Sequence, residues 1–232
     1  MNKNILAIIP ARGGSKRIPR KNLKEVGEKP LLAHTIHQAD KAGEIDRAIV
    51  STDDEEIAAV AEQYDGEVPF MRPAELSTDT ASTADVVTHA VDWAATQSTQ
   101  FELVCVLQVT SPLRTPADID NAVQLLDTKE ATSVVSMSAY GNPPQWAIDE
   151  DENGYLMEFF GTDSLWTDSP DRSQDMPELY HPNGAVFAAT TESWKTHESF
   201  YTPHTVGYRM PRERSFDIDE PWELELVRNI IE

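Results

Sequence analysis

Two hydrophobic periods alternate along the chain. Residues 4 to 9 (Asn-Ile-Leu-Ala-Ile-Ile) form an apolar run without polar alternation, the pattern of a strand buried on both faces of a parallel sheet, and Pro10 ends it. Pro30 fits the first turn of a helix, and Leu31, Leu32, Thr35, Ile36 and Ala39 then recur at helical spacing, with Lys41 and Gly43 closing the run. Residues 47 to 51 (Arg-Ala-Ile-Val-Ser) predict a second strand, and Asp53 with Glu56 makes a capping-box pattern before Ile57, Val60 and Ala61. The rhythm continues with a strand near 67–71, a helix near 83–97, a strongly apolar strand at 101–109, a helix from Pro116 to about Asp127 and a strand at 132–138. It closes with strands at 184–190 and 204–210 and a helix over 220–231. Strand and helix in alternation imply a doubly wound α/β sheet, Rossmann-like and mostly parallel.

The rhythm breaks between about 139 and 183. Gly141-Asn142-Pro143-Pro144, Asn153-Gly154 and Ser169-Pro170 are turn signals there, with little helical periodicity between them. The stretch predicts an inserted hairpin or arm within a single domain spanning 1–232. It carries Trp146, Tyr155, Phe159, Phe160 and Trp166. Such aromatic enrichment suits a patch covered by a second subunit better than a satellite core, so a homodimer through this arm is expected.

Composition narrows the partners. The 232 residues include 40 Asp and Glu against 19 Lys and Arg, a formal charge of −21, with 40% hydrophobic residues to build a core. So negative a surface repels phosphate backbones and anionic headgroups, which argues against nucleic-acid and membrane partners. The single cysteine, Cys105, lies in an apolar run, so neither an intrachain disulfide nor a cysteine metal cluster is available. The apolar run before Pro10 is too short for a secretory segment, and a cytoplasmic location is expected. The six histidines show no zinc-ligand spacing, and His34 and His37 are read as solvated on the polar side of their helix.

Positive charge is concentrated. Arg12, Lys16, Arg17, Arg20, Lys21, Lys24 and Lys29 fall within one stretch, and Arg209, Arg212 and Arg214 within another. The first stretch leaves the end of the first strand, where ligands sit in open α/β sheets. Gly13-Gly14 lets backbone amides approach an anion, Ser15 adds a hydroxyl, and Arg12, Lys16 and Lys21 add charge for several phosphate oxygens. Neither a Walker loop nor a dinucleotide fingerprint is present. The loop predicts a polyphosphate ligand without specifying which.

The opening Ala7-Ile8-Ile9-Pro10-Ala11-Arg12-Gly13-Gly14-Ser15-Lys16-Arg17-Ile18-Pro19-Arg20-Lys21-Asn22 resembles the nucleotide-binding segment of the acylneuraminate cytidylyltransferases, which make CMP-sialic acids and related CMP-nonulosonic acids. Six further segments match that family in order: Ser51-Thr52-Asp53-Asp54, Arg72-Pro73-Ala74-Glu75-Leu76, Asp79-Thr80-Ala81-Ser82, Thr110-Ser111-Pro112-Leu113-Arg114, Pro182-Asn183-Gly184-Ala185 and Asp217-Ile218-Asp219. The resemblance implies a nucleotidyltransferase fold with a mostly parallel mixed sheet and a dimerisation arm. It also implies roles. Arg12, Ser15 and Lys16 would hold the triphosphate of CTP through the Ala11-Arg12-Gly13-Gly14 turn, with Lys21 close to the reacting phosphate. Asn22, Arg72 and Ser82 would contact the cytidine. Gln108, Thr110, Ser111, Arg172, His181 and Asn183 would face the sugar acid. Arg172-Ser173-Gln174-Asp175 and Tyr180-His181 look like the pseudaminic acid branch, whereas Thr110-Ser111-Pro112-Leu113-Arg114 and Asn183-Gly184-Ala185 look like the sialic and legionaminic branch, so all three acids stay open.

Asp217 and Asp219 flank Ile218, so in an extended segment both carboxylates point one way while the isoleucine faces the core. That suits Mg2+ (or Mn2+), which takes one or two carboxylates together with water and substrate phosphate. The basic run at Arg209, Arg212 and Arg214 is expected to meet the first basic stretch around that metal-bound triphosphate. Two other chemistries fit parts of the pattern: activation of an eight-carbon ulosonic acid, and a glycosyltransferase using Asp217-Ile218-Asp219 as its metal motif. The excess of acid suits a saline cytoplasm.

Overall fold

The computed structural model describes residues 3–78, 80–161 and 172–231. Asp79 of the matched segment, and Trp166 and Ser169-Pro170 of the arm, lie outside them. The elements in order are β1 (Ile5–Pro10), the short pair β2 (Glu25–Val26) and β3 (Lys29–Pro30), α1 (Leu31–Lys41), β4 (Arg47–Ser51), α2 (Glu55–Gln63) and α3 (Thr83–Ala95). There follow β5 (Leu103–Val106), α4 (Pro116–Thr128), β6 (Ser133–Ala139), the hairpin β7 (Ile148–Glu150) and β8 (Leu156–Glu158), β9 (Tyr180–Thr190), α5 (Thr191–His197), β10 (Thr205–Arg209) and α6 (Pro221–Ile231).

Six strands form one sheet in the order β10-β6-β9-β5-β1-β4. The pairs β10–β6, β5–β1 and β1–β4 are parallel, and β9 runs antiparallel to both neighbours, so the sheet is mixed but mostly parallel. β1 shows why its sequence is uniformly apolar. Ile5, Ala7 and Ile9 pack on one face with Leu32, Ile36, Ile119, Val123 and Leu224, while Leu6 and Ile8 pack on the other with Val87, Val91, Trp194 and Phe200. Each such aliphatic side chain contributes roughly 1.5–3 kcal/mol on burial. With both faces covered, the carboxyl ends of β1 and β5 are left to open on one crevice.

The departures from the pattern have local causes. Residues 67–71 form only single bridges, Ile49 with Glu67 and Thr52 with Met71, because Pro69 has no N–H to give a ladder. The apolar run 101–109 yields only the four residues of β5, its last part leaving the sheet toward the crevice. β9 starts four residues before Gly184, which sits at φ +75° near a register shift against β6. The N-cap of α2 is Asp54, not Asp53: its side chain accepts from the N–H groups of Glu56 and Ile57. His34 is buried against the Val26 carbonyl at 2.8 Å rather than solvated, and burial lowers its pKa. α5 has no counterpart in the hydrophobic pattern.

Candidate active site

Beyond β1 and β5 lies a cleft of about 680 Å³. Of the expected residues it gathers Arg12, Ser15, Lys16, Lys21, Asn22, Arg72, Ser82, Gln108, Thr110, Asp217 and Asp219. The loop after β1 is folded by its own contacts. Ala11 is buried and donates its N–H to the Ser51 carbonyl at 2.9 Å, which carries the chain across the end of β4. The Gly13 N–H donates to Asp53 Oδ1 at 3.1 Å, and Asn22 Nδ2 returns to the Arg12 carbonyl at 2.9 Å. At position 13 a Cβ would stand 2.6 Å from Asp54 Oδ2 and 3.0 Å from Asp54 Cβ, so a larger residue would displace the side chain that caps α2. At Gly14 a Cβ would meet open space. Arg12 reaches across the mouth to the Thr78 carbonyl at 3.2 Å.

Opposite stands the acid pair. Ile218 is fully buried between Asp217 and Asp219, and its N–H donates to the Thr110 carbonyl at 2.9 Å, fixing the segment to the exit of β5. Lys21 Nζ lies 2.7 Å from the Ile218 carbonyl and 3.1 Å from Asp219 Oδ1, and Arg17 lies 3.3 Å from Asp219 Oδ2. Burial raises the pKa of Asp217, and the neighbouring Asp219 carboxylate adds to the rise, against a hydrogen bond from Thr110 and the charge of Lys21. Two hard oxygen donors on one cleft wall, one of them desolvated, fit a divalent cation that shares its shell with phosphate and water. Among the described residues, no group of three or more His, Cys, Asp or Glu forms an enclosed metal cage.

Another part of the cleft wall is built around Arg72. Its side chain is 3% exposed, donates through Nε to Ser77 Oγ at 3.0 Å, and has Asp53 Oδ1 3.5 Å from a terminal nitrogen. Burial lowers its pKa, and the Asp53 carboxylate works against that. Ser82 lines the cleft as the N-cap of α3, in a reciprocal capping box with Asp85.

Other expected residues lie elsewhere. Ser111 is buried behind Gly184, and its hydroxyl makes no hydrogen bond among the described residues. Asn183 is buried in a network with Ser136 at 2.6 Å and Ser215 at 2.9 Å. Arg172 is exposed and pairs with Asp175, and His181 packs against Tyr140. None of these four lines the cleft. Nor does the second basic run: Arg214 holds the buried Asp118, Arg209 stacks on Tyr180, and Arg212 packs by Gly141. Arg20 leaves the phosphate side as well, pairing with Asp54 and Glu56.

Two contributors escaped the sequence. Arg114, fully buried, donates to the carbonyls of Gln108 at 3.2 Å and Ala185 at 2.6 Å and to Gln38 Oε1 at 2.9 Å, tying the exit of β5 to β9. Burial lowers its pKa to about 10. Asp53, which the sequence offered in a cap pattern and within the matched Ser51-Thr52-Asp53-Asp54 segment but with no role at the site, contacts both the loop after β1 and Arg72.

The fold has structural relatives. With a TM-score of 0.70 and 17% identity, covering 98% of both chains, the fold matches that of CMP:2-keto-3-deoxy-manno-octonic acid synthetase complexed with CTP. It also matches 4-diphosphocytidyl-2C-methyl-D-erythritol synthase from Anaerococcus prevotii, with a TM-score of 0.64, 16% identity and 98% of both chains covered. The fold is therefore that of a Rossmann-like nucleotidyltransferase.

Sequence comparison narrows the class. Residues 6–165 match the cytidylyltransferase family model. The chain is 35% identical over 223 residues to the pseudaminic acid cytidylyltransferase of Campylobacter jejuni, covering 96% of this chain and 94% of that one. It is 35% identical over 229 residues to the CMP-N,N'-diacetyllegionaminic acid synthase of Legionella pneumophila, covering 98% and 96%. It is 36% identical over 230 residues to the N-acylneuraminate cytidylyltransferase of Escherichia coli, covering 99% of this chain and 52% of that longer one. The chain belongs to the cytidylyltransferase family and is a nucleotidyltransferase enzyme.

Proposed function

We propose that the protein activates a nine-carbon nonulosonic acid of the pseudaminic, sialic or legionaminic type with CTP, giving the CMP-sugar and pyrophosphate. The observation that carries this is the meeting of the glycine-bearing basic loop with the Asp217/Asp219 pair through Lys21, which bonds to the Ile218 carbonyl and Asp219. The triphosphate lies along Arg12, Ser15 and Lys16, the cytidine toward Asn22, Arg72 and Ser82, and the sugar acid toward Gln108 and Thr110. The anomeric hydroxyl attacks the α-phosphorus and gives its proton up to solvent, the bond from the α-phosphorus to the bridging oxygen of the β-phosphate breaks, and pyrophosphate leaves with its charge held by the loop. Catalysis is then mostly positioning and charge neutralisation. Asp217 and Asp219 would hold Mg2+ or Mn2+, which would supply further neutralisation of phosphate charge. The names of the relatives support the range of acids without choosing among them.

The reading extends to a homodimer in the cytoplasm. Its support is the exposed apolar face of the arm, where Tyr155, Leu156, Met157, Phe159 and Phe160 stand close in sequence. The test of the reaction is incubation with CTP, Mg2+ and a panel of pseudaminic, sialic, legionaminic and eight-carbon acids, read by mass. A CMP adduct of at least one nine-carbon acid is expected. An adduct of the eight-carbon acid alone would move the assignment there, and no adduct with any acid would refute it.

A further inference from the structure

Two consecutive carboxylates follow β4, and they face different tasks. Asp54 caps α2 and pairs with Arg20 at 2.5 Å. Asp53 turns to the cleft side, where its Oδ1 accepts the Gly13 N–H at 3.1 Å and lies 3.5 Å from a terminal nitrogen of Arg72. The backbone repeats this connection: Ala11 N–H donates to the Ser51 carbonyl at 2.9 Å and Arg72 N–H to the Thr52 carbonyl at 2.7 Å. The loop after β1 and the segment bearing Arg72 are thus fastened to the same strand end, and one carboxylate oxygen spans them. Asp53 is also the anion that offsets the burial of Arg72, whose like-charged neighbour is Arg12. A desolvated guanidinium without such a partner is strongly unfavourable.

We propose that Asp53 is a positioning residue for the nucleotide, holding the Gly13 turn and the Arg72 guanidinium at a fixed separation so that triphosphate loop and nucleoside end engage one CTP together. The proposal rests on the reading of the cleft as a CTP site. Asp53 is not among the cleft-lining residues and acts through groups that touch the ligand. Losing its charge should therefore alter how CTP is held and how cytosine is distinguished, beyond any effect on stability.

The experiment is calorimetric titration of CTP, and separately UTP, into the wild-type protein, Asp53→Asn and Asp53→Ala, with Mg2+ present and no sugar acid, alongside thermal melts. Asp53→Ala should weaken CTP binding about tenfold or more, the scale of a lost hydrogen bond to a charged group. Asp53→Asn keeps an oxygen for the Gly13 N–H but no charge for Arg72, and should fall between, with its Tm near wild type and its preference for CTP over UTP narrowed. Should the alanine variant not fold, the asparagine variant decides. Wild-type affinity and preference in Asp53→Asn would overturn the proposal, as would a lowered Tm with preference unchanged. A wild-type protein that binds no CTP would instead overturn the reading beneath it.

Discussion

In the proposed reading the chemistry turns on Lys21, which lines the cleft and bonds at once to the Ile218 carbonyl and Asp219 of the acid segment. Removing a single electrostatic contact of this kind typically costs about 10²–10³ in rate. Lys21→Ala is therefore expected to lower kcat by that factor in a pyrophosphate-release assay, while its Tm stays within a few degrees of wild type. Asp219→Asn should cost a similar factor and raise the Mg2+ concentration needed for half-maximal rate; an unchanged metal requirement would remove Asp219 from the metal site. At this scale much of the cleft lining was legible. Arg12, Ser15, Lys16 and Lys21 follow from a glycine-bearing basic loop at a strand end, and the alternation of Asp217, Ile218 and Asp219 foretold the buried isoleucine. Asp53 and Arg114 were not legible as site supports, because their partners are backbone groups and side chains far along the chain, which no spacing reveals. Arg214 misled for the same reason, since its partner Asp118 is 96 residues away.

Among the elements, the helix N-termini carry the acid sensitivity. Asp54 caps α2, and the hydrogen bond from Arg20 leads the contacts that hold its pKa below the usual 3.8, against its own burial. Burial would raise the pKa of Asp118, at the start of α4, but hydrogen bonds from Arg214, Thr115 and Tyr208 together bring it below 3.8. A carboxylate depressed in the folded state contributes stability that is present above its unfolded pKa and lost as pH falls through the folded value. Melts should thus show stability falling below about pH 4, and Asp54→Asn should flatten part of that fall. Near neutral pH, Asp54→Ala should cost about 1 kcal/mol for the lost cap. Arg214→Met leaves a buried carboxylate without its cation and should cost more, up to about 3–5 kcal/mol. If Arg214→Met melts with the wild type, the pair is not the anchor described. Long elements were readable from period alone. α5 was not, because two turns with a single buried apolar residue, Trp194, beside the buried Ser193, give no repeat to detect. Residues 67–71 looked like a strand because Val68 and Phe70 are apolar, but hydrogen bonding decides strands and Pro69 limits it.

The whole molecule combines an acidic exterior with a local cationic loop. The formal charge of −21 remains an argument against anionic polymers as partners, yet the cationic cluster at the cleft is smaller than the sequence suggested, since Arg20, Arg209, Arg212 and Arg214 are engaged elsewhere. If the acid surface is an adaptation to salt, activity should hold or rise toward molar KCl; full activity at low salt with a steep fall would contradict that. The arm exposes Phe159 at 64% and Tyr155 at 72%. Replacing Phe159 and Phe160 with aspartate should give a monomer by sedimentation with the Tm of the main transition retained, whereas an unchanged sedimentation coefficient would place any dimer contact elsewhere. Transfer of CMP to a sugar acid is measured by supplying CTP labelled at either its α- or its γ-phosphorus together with a nine-carbon acid and Mg2+. α-Label is expected in the sugar product and γ-label in pyrophosphate. Label from both positions in inorganic phosphate and CMP alone, with none on the sugar, would contradict that transfer.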